Sequence, residues 1–409
     1  MKVSFLFEGW RGKMKKSFVL VVVVLGLSAP LMAGGWNNTL IGCRAIALGG
    51  AFCAVANDPS AIFYNPAGLV HQDSRLNLSL DGFYVWPTDE FTTASGNTIR
   101  SQFNSSIPQF FITYRWSDRI TFGFGMYTPY AGGGVDWKER DLGYPLKTAM
   151  GIISLTPTLA YTLSPTLSVG FNINYYRAYF TLDTTMAGFG PLKSEEEGSA
   201  LSAGLGIFYR PVERLSFGLS VRGPARMRLA GKTKLMIDVY NLSLDSDTAF
   251  NLPWDIEAGV AYRLSDRLLL SAGAQYTTWS VLDKVEKAIH DIPLVGDLRL
   301  DENMSFRDIL LFRAGAEYTF PAGLALRAGV GLDRFASPLE SLNPTNIDVD
   351  KLTLLCGIGY RTGRMTIDFA YVYGIGEERQ KDVLVMGIPL NEKYNLHVQV
   401  IGLGLTFAF

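Results

Sequence analysis

Leu167-Ser168-Val169-Gly170-Phe171-Asn172-Ile173-Asn174-Tyr175 decides the fold class. Every second residue is apolar, and those between are small or polar. Alternate side chains of a strand point to opposite faces, so this stretch makes a ribbon with one greasy and one wet face. The pattern returns at Ile120, Phe122, Phe124 and Met126, at Leu215, Phe217, Leu219 and Val221, and at Leu324, Leu326, Ala328, Val330 and Leu332. Met365, Ile367, Phe369, Tyr371 and Tyr373 repeat it once more. Such runs exceed the usual strand of about five or six residues. They suit a transmembrane strand of about 9–11 residues, apolar outward and polar inward. The chain reads as an all-β membrane barrel with a wet interior.

Both ends agree. Lys13, Lys15 and Lys16 precede the apolar run Phe18 to Leu27, and Leu31-Met32-Ala33 leads into Gly34. A charged n-region, a short apolar core and a small residue make a signal peptide over 1–33, with cleavage expected after Ala33 and Met14 as an alternative start. The run is short of the roughly 20 residues that a membrane-spanning helix needs. At the other end Leu403, Leu405, Phe407 and Phe409 alternate with small residues. Upstream the apolar set is Tyr394, Leu396, Val398 and Val400, in the opposite phase. A change of phase exchanges the two faces, which predicts a bulge near Val400–Gly402.

A net charge of −1 gives no reason to expect a nucleic-acid partner. Hydrophobic content is 48%, yet nothing after residue 33 is a continuous apolar helix. Glycine (42 residues) and 12% aromatics suit small lumen-facing positions and aromatic girdles. Cys43 and Cys53 are equally compatible with a disulfide formed after export and with two buried thiols, while Cys356 sits on an apolar stripe.

Six tight connections carry turn chemistry: 116–119, 163–166, 210–213, 264–267, 320–323 and 361–364. Seven longer ones lie near 87–105, 128–149, 181–199, 229–252, 280–306, 335–350 and 377–391. Together they make a fourteen-stranded antiparallel barrel over 74–409, with short turns and both termini on the periplasmic side. The first strand is expected from Arg75 to Trp86, although Pro108 interrupts its neighbour. Val281, Leu282, Val285, Ala288 and Ile289 have helical spacing, which predicts a short amphipathic helix in an external loop.

Residues 34–73 show no alternation and are rich in Gly and Ala. Asn57-Asp58-Pro59-Ser60 and Asn65-Pro66-Ala67-Gly68 are turn and helix-start signals. Some forty residues are too few to make a core alone. Leu48, Phe52, Val55, Ile62, Phe63 and Leu69 are too apolar for a disordered tail. The segment is expected inside the barrel as a small helical plug.

Gly42-Cys43-Arg44-Ala45-Ile46-Ala47-Leu48-Gly49-Gly50-Ala51-Phe52 and Ala56 to Gly68 resemble the N-terminal hatch of the outer-membrane long-chain fatty-acid transporter family. That family (FadL/TodX type) also takes in channels for toluene-like hydrocarbons. Its Asn-Pro-Ala hatch motif stands here as Asn65-Pro66-Ala67, followed by Gly68. Tyr127-Thr128-Pro129-Tyr130, Leu155 to Tyr161, Leu252-Pro253-Trp254 and Arg313 to Tyr318 are similar too. The resemblance covers nearly the whole chain after the signal segment, and it implies a plugged barrel of fourteen strands. It also implies passive uptake of hydrophobic molecules, most readily long-chain fatty acids, with aromatic hydrocarbons as the alternative. The route implied runs from external loops to a pocket against the hatch, then sideways to outer-membrane lipid. By position, the ligand-binding end of the hatch carries over to Gly34, Gly35, Trp36 and Asn37. The lateral opening falls at Ser106-Ile107-Pro108 or at Tyr127-Thr128-Pro129. A monomer without a cofactor is expected. An open porin and a surface receptor or adhesin are the competing readings.

Strand parity places Arg177, Arg222, Asp255, Glu257, Arg313, Glu317, Arg327, Asp333 and Asp368 in the lumen. Ion pairs tying wall to wall, or wall to plug through Arg44 or Asp58, are favoured over ligand contact. A lumen Arg would also match a substrate carboxylate. Enzymatic readings fare poorly. His71 lies where plug meets barrel, His290 in a long connection, and His397 on a strand, expected to face the lumen. No His/Cys cluster has zinc spacing. Ser220 or Ser271 with His397 is the best that a hydrolase reading offers. Glu195-Glu196-Glu197 reads as a solvated charge run rather than a calcium site.

Overall fold

Long alternating segments joined by tight turns pair their backbones sequentially, and in a membrane such a sheet must close on itself to leave no edge. The computed structural model describes residues 35–409 other than 102, 187–189, 238, 239, 294, 386 and 387. The expected signal segment 1–33 and Gly34 lie outside the described residues. The strands are β1 (Leu76–Thr92), β2 (Ser105–Arg115), β3 (Ile120–Trp137), β4 (Leu146–Ser164), β5 (Leu167–Met186) and β6 (Gly190–Val212). Next come β7 (Leu215–Arg222, then Ala225–Ile237), β8 (Tyr240–Leu252, then Asp255–Arg263) and β9 (Leu268–Thr277, then Lys284–Ile292). They are followed by β10 (Ile309–Thr319), β11 (Leu324–Asp333), β12 (Lys351–Thr362), β13 (Met365–Gly376) and β14 (Ile388–Ala408). This is a closed antiparallel barrel of fourteen strands, β1 pairing with β14 from Asn77↔Ala408 to Thr92↔Lys393. The six tight turns all fall at one end, at the expected places.

Three expectations are corrected, all for one reason. Most of the expected long connections are strand. β5 runs to Met186 and β6 starts at Gly190; β7 reaches Ile237 and β8 starts at Tyr240. Beyond the apolar belt the wall keeps pairing, but its faces exchange character. On β6, Lys193, Glu195 and Glu197 point outward, while Leu192, Ser194 and Glu196 are buried inside. The same exchange accounts for the C-terminal phase change without a bulge, because the β1–β14 register is unbroken. Tyr394, Leu396, Val398 and Val400 share the inward face with Gly402 and Gly404, and the upper lumen they line is apolar. The expected helix over Val281–Ile289 is also a strand from Lys284, with Val285, Lys287 and Ile289 on one face. Apolar residues at i and i+4 fit both periods, and the ladder with β8 (Ser246↔Ile289 to Ala249↔Glu286) selects the strand.

Residues 35–73 lie within the wall. They form α1 (Cys43–Ala47), α2 (Ala61–Tyr64) and a 3-10 turn, Pro66–His71. α1 packs on β11, β12, β13 and β14, and the 3-10 turn packs on β3, β4, β5 and β6, so the segment bridges the lumen. The wall makes room with glycines. A Cβ at Gly170 would sit 2.3 Å from the Pro66 carbonyl carbon, one at Gly315 would sit 2.2 Å from the Leu48 oxygen, and one at Gly329 would sit 2.2 Å from the Gly49 nitrogen. Each is a backbone clash that no rotamer relieves, so glycine is required at these approaches.

Candidate functional site

Pro129 has no N–H to give a ladder, and Gly132-Gly133-Gly134 follows it. The β2–β3 ladder accordingly ends at Phe110↔Met126, and β3–β4 shifts register between Tyr127 and Tyr130 and again between Gly132 and Val135. Above Met126 the facing edges of β2 and β3 are unpaired with each other. Ser106-Ile107-Pro108 and Tyr127-Thr128-Pro129, the two expected places for an opening, flank this one interruption. The N-terminal segment meets its lumen side through a single antiparallel bridge, Asn37↔Tyr130. Asn38 N–H donates to the Pro129 carbonyl at 2.9 Å, and Ala131 N–H donates to the Trp36 carbonyl at 2.9 Å. Asn38 Nδ2 also donates to the Thr128 carbonyl at 2.7 Å. On the β2 lip, Gln109 accepts from Gly42 N–H at 2.9 Å and donates to the Leu40 carbonyl.

The Trp36 indole meets Phe250, Trp279 and Phe306 edge to face, with centroids 5.1, 6.2 and 6.2 Å away. Its other side forms one wall of a lumen cavity of about 240 Å³. Met150, Phe180, Leu182 and Val285 give the cavity its apolar lining, and Lys287 stands among them. Lys287 Nζ is 2.6 Å from Glu196 Oε1 and 3.1 Å from Ser194 Oγ, both buried, and 5.2 Å from the Phe180 ring centre. A desolvated ammonium held by a carboxylate and hydroxyls thus stands in a mainly apolar chamber whose remaining polar lining is Thr148, Thr248, Glu302, Thr345 and Asn346. Leu182 and Leu300 of the cavity also pack on a further apolar cluster, Leu192, Leu235, Ile289 and Ile292, at the outer end of the barrel.

Gly35 donates its N–H to Asp348 Oδ2 at 3.2 Å, and Asn37 Nδ2 reaches Thr277 Oγ1 at 3.3 Å. Asn65 accepts from Ala67 N–H at 3.2 Å and donates to the Cys53 and Ile207 carbonyls at 3.0 Å each. It therefore ties Pro66-Ala67-Gly68 both to the segment and to β6. Behind Gly68, a Cβ would lie 2.1 Å from the Ala56 oxygen.

Most of the lumen charges are paired, while Glu257 has no ion pair among the described residues. Arg44 grips Glu317 with two bonds of 2.9 Å and reaches Asp58 at 3.4 Å. Glu317 also meets Arg327 at 2.6 Å, and Arg327 meets Asp368 at 2.6 Å. Arg313 pairs with Asp333 at 3.2 Å, and Arg222 with Asp255 at 3.1 Å. None of these arginines lines the Trp36 cavity. Arg177 is a correction: it shares the outward parity of Phe171, Ile173 and Tyr175 and pairs with Glu197 on the outer face. His397 is another, lying on the outward parity of β14 with Gln399 and Ile401, away from inward-facing Ser220 and Ser271. Cys43 and Cys53 are free and buried. The acidic run splits by parity, Glu195 and Glu197 outward to Lys193 and Arg177, Glu196 inward to Lys287. Lys287 escaped sequence reasoning because its neighbours fitted a helix; the period-two run Val285, Lys287, Ile289 was the available signal.

The model of the outer membrane protein transport family (OMPP1/FadL/TodX) matches residues 28–409. Outer membrane protein P1 of Haemophilus influenzae is 23% identical over 460 residues, covering 94% of this chain and 98% of that one. Among solved structures, a Pseudomonas aeruginosa FadL homologue superposes with a TM-score of 0.76 at 18% identity, covering 94% of this chain and 100% of that one. The Pseudomonas putida toluene transporter TodX gives 0.74 at 16% identity, with 93% and 100% covered.

Proposed function

From the membership of this chain in the outer membrane transport protein family (OMPP1/FadL/TodX), we propose that it is a channel that carries hydrophobic molecules into the outer membrane, with residues 34–73 as its hatch. The observation that carries this reading is the double position of Trp36. One residue walls the apolar cavity with its indole and closes the β2–β3 interruption with its carbonyl. A molecule that displaces the indole loosens the backbone bridge to Ala131, and the unpaired edges of β2 and β3 then open towards lipid. An apolar chain gains roughly 0.8 kcal/mol per buried methylene, so a greasy cavity draws in what a water-filled pore would not.

Lys287 favours a long-chain fatty acid over a hydrocarbon as the substrate. An ammonium beside Glu196 costs desolvation and offers nothing to toluene. A carboxylate entering headfirst shares Lys287 with Glu196, which keeps its bonds from Ser194 and Ser246, while the substrate chain lies against Phe180 and Trp36. The aromatic cage around Trp36 suits a flat hydrocarbon, which keeps that second reading open to the same test. Uptake of labelled oleate and of toluene is measured in a deletion strain carrying the parent or Lys287→Met/Glu196→Leu. Loss of oleate uptake alone supports the fatty-acid reading. Unchanged oleate uptake overturns it, and no uptake of either compound by the parent overturns transport.

A further inference from the structure

The two rims of the barrel carry different cations. Every described lysine lies in the outer half or the external extensions, and the rim of short turns carries arginine instead. Seven are exposed. Arg263 and Arg361 precede turns and line the lumen mouth, as Arg214 also does. Arg75, Arg119, Arg214, Arg267 and Arg364 are the five that follow the turns and the joined chain ends. They stand just beyond outward aromatics that end the apolar belt, among them Trp116, Tyr209, Tyr262 and Tyr360. Arg75 lies 5.4 Å from the Tyr114 ring centre and bonds its hydroxyl at 3.0 Å, and Arg364 lies 5.7 Å from the Phe409 ring centre. Among the described residues, Arg214 alone of the five has a carboxylate within bridging range, Asp266 at an exposed 3.8 Å.

We infer that this rim is a binding surface for the headgroups of anionic phospholipids in the periplasmic leaflet. Aromatic girdles mark the level where acyl chain gives way to headgroup, so side chains just beyond them meet phosphodiesters. A guanidinium presents a planar fork that matches two phosphate oxygens, whereas an ammonium offers a hydrated point charge. A rim meant only for solubility has no use for that distinction. Stacking on Tyr114 and Phe409 holds two of the forks against the wall, where a lipid in the first shell lies. Exposed acids occur at both rims, Asp118, Glu213 and Asp266 standing beside Arg119, Arg214 and Arg267 here. The opposite rim, however, draws its positive charge largely from lysine, as in Lys232 with Asp245 and Lys193 with Glu195.

The test is native mass spectrometry of the purified full barrel, delipidated and then given phosphatidylglycerol or phosphatidylcholine of the same chains. The parent is expected to retain at least about five times more phosphatidylglycerol, a preference of about 1 kcal/mol. R75Q/R119Q/R214Q/R267Q/R364Q should lose that preference, and the same five positions as lysine should keep only part of it. Millimolar inorganic phosphate should leave the bound lipid in place. Equal retention of both lipids by the parent overturns the inference, as does an unchanged preference in the glutamine variant. Displacement by free phosphate also overturns it, in favour of a general anion site. The parent arm stands even if a variant fails to assemble.

Discussion

Ala131 of β3 donates its N–H to the carbonyl of Trp36 at 2.9 Å, across ninety-five positions of chain, and so bridges the N-terminal segment to the edge of the wall it plugs. Such a bridge, like strand addition at a sheet edge, takes its strength from main-chain bonds and its specificity from the side chains beside them.

Trp36→Ala should separate transport from stability. The bridge atoms remain, but the indole contacts to Phe250, Trp279 and Phe306 vanish and the cavity loses a wall. Oleate affinity is expected to fall roughly tenfold, about 1.4 kcal/mol, while the barrel keeps its heat-resistant electrophoretic mobility. Uptake and affinity equal to the parent's would remove Trp36 from the site.

Asn65→Ala deletes three hydrogen bonds at once. At about 1 kcal/mol each, the segment should lose roughly 3 kcal/mol of docking energy. Protease cleavage after residue 40 should accelerate at least tenfold with the barrel band intact. A protection pattern identical to the parent's would show that the motif does not hold the segment.

Lys287→Met alone strands Glu196 in a buried position, and breaking a buried pair costs about 3–5 kcal/mol. Removing both partners, as in Lys287→Met/Glu196→Leu, should restore the melting temperature to within a few degrees of the parent. If the single variant melts like the parent, the pair is not desolvated.

Gly315→Val sets a side chain against the Leu48 oxygen, where even a Cβ has only 2.2 Å. Single-channel conductance should rise because the segment cannot seat. Unchanged conductance would place the seal elsewhere.

His290 lies between Asp247 and Asp297 on the external extension, and bonding to those carboxylates raises its pKa above the ordinary 6.5. A raised folded value means that its contribution is complete below 6.5 and is lost as pH climbs through the folded value. Protease resistance of this external extension should therefore be highest below pH 6.5 and decline as pH rises above it. His290→Gln should flatten that profile, and a pH-independent parent would refute the linkage.

The membrane belt was legible because lipid enforces one rule: apolar out, small or polar in. Leu167 to Tyr175 obeys it, and turns such as Ser265-Asp266 punctuate it. Past the belt the rule lapses. Tyr394 to Val400 read as a slipped register, and Lys284–Ile292 as a helix, because the apolar face there turns to a lumen whose contents sequence does not announce. Arg177 and His397 were misassigned where charge was taken as a sign of the interior. The bridge from Trp36 to Ala131 joins segments with no local signature of each other. Pro129 marked the break in the ladder but not what fills it.

The glycines at 170, 315 and 329 also bear on biogenesis. A wall with only hydrogen at these positions leaves unfilled space there unless the segment is present. The N-terminal residues leave the translocation machinery first, and β1 and β14 meet last in sequence. The ring therefore zips most favourably around a segment already lying in the nascent sheet, which acts as a mandrel for its own closure. Supplying residues 34–73 afterwards, as a separate peptide, should then fail to seat in a barrel that has already closed.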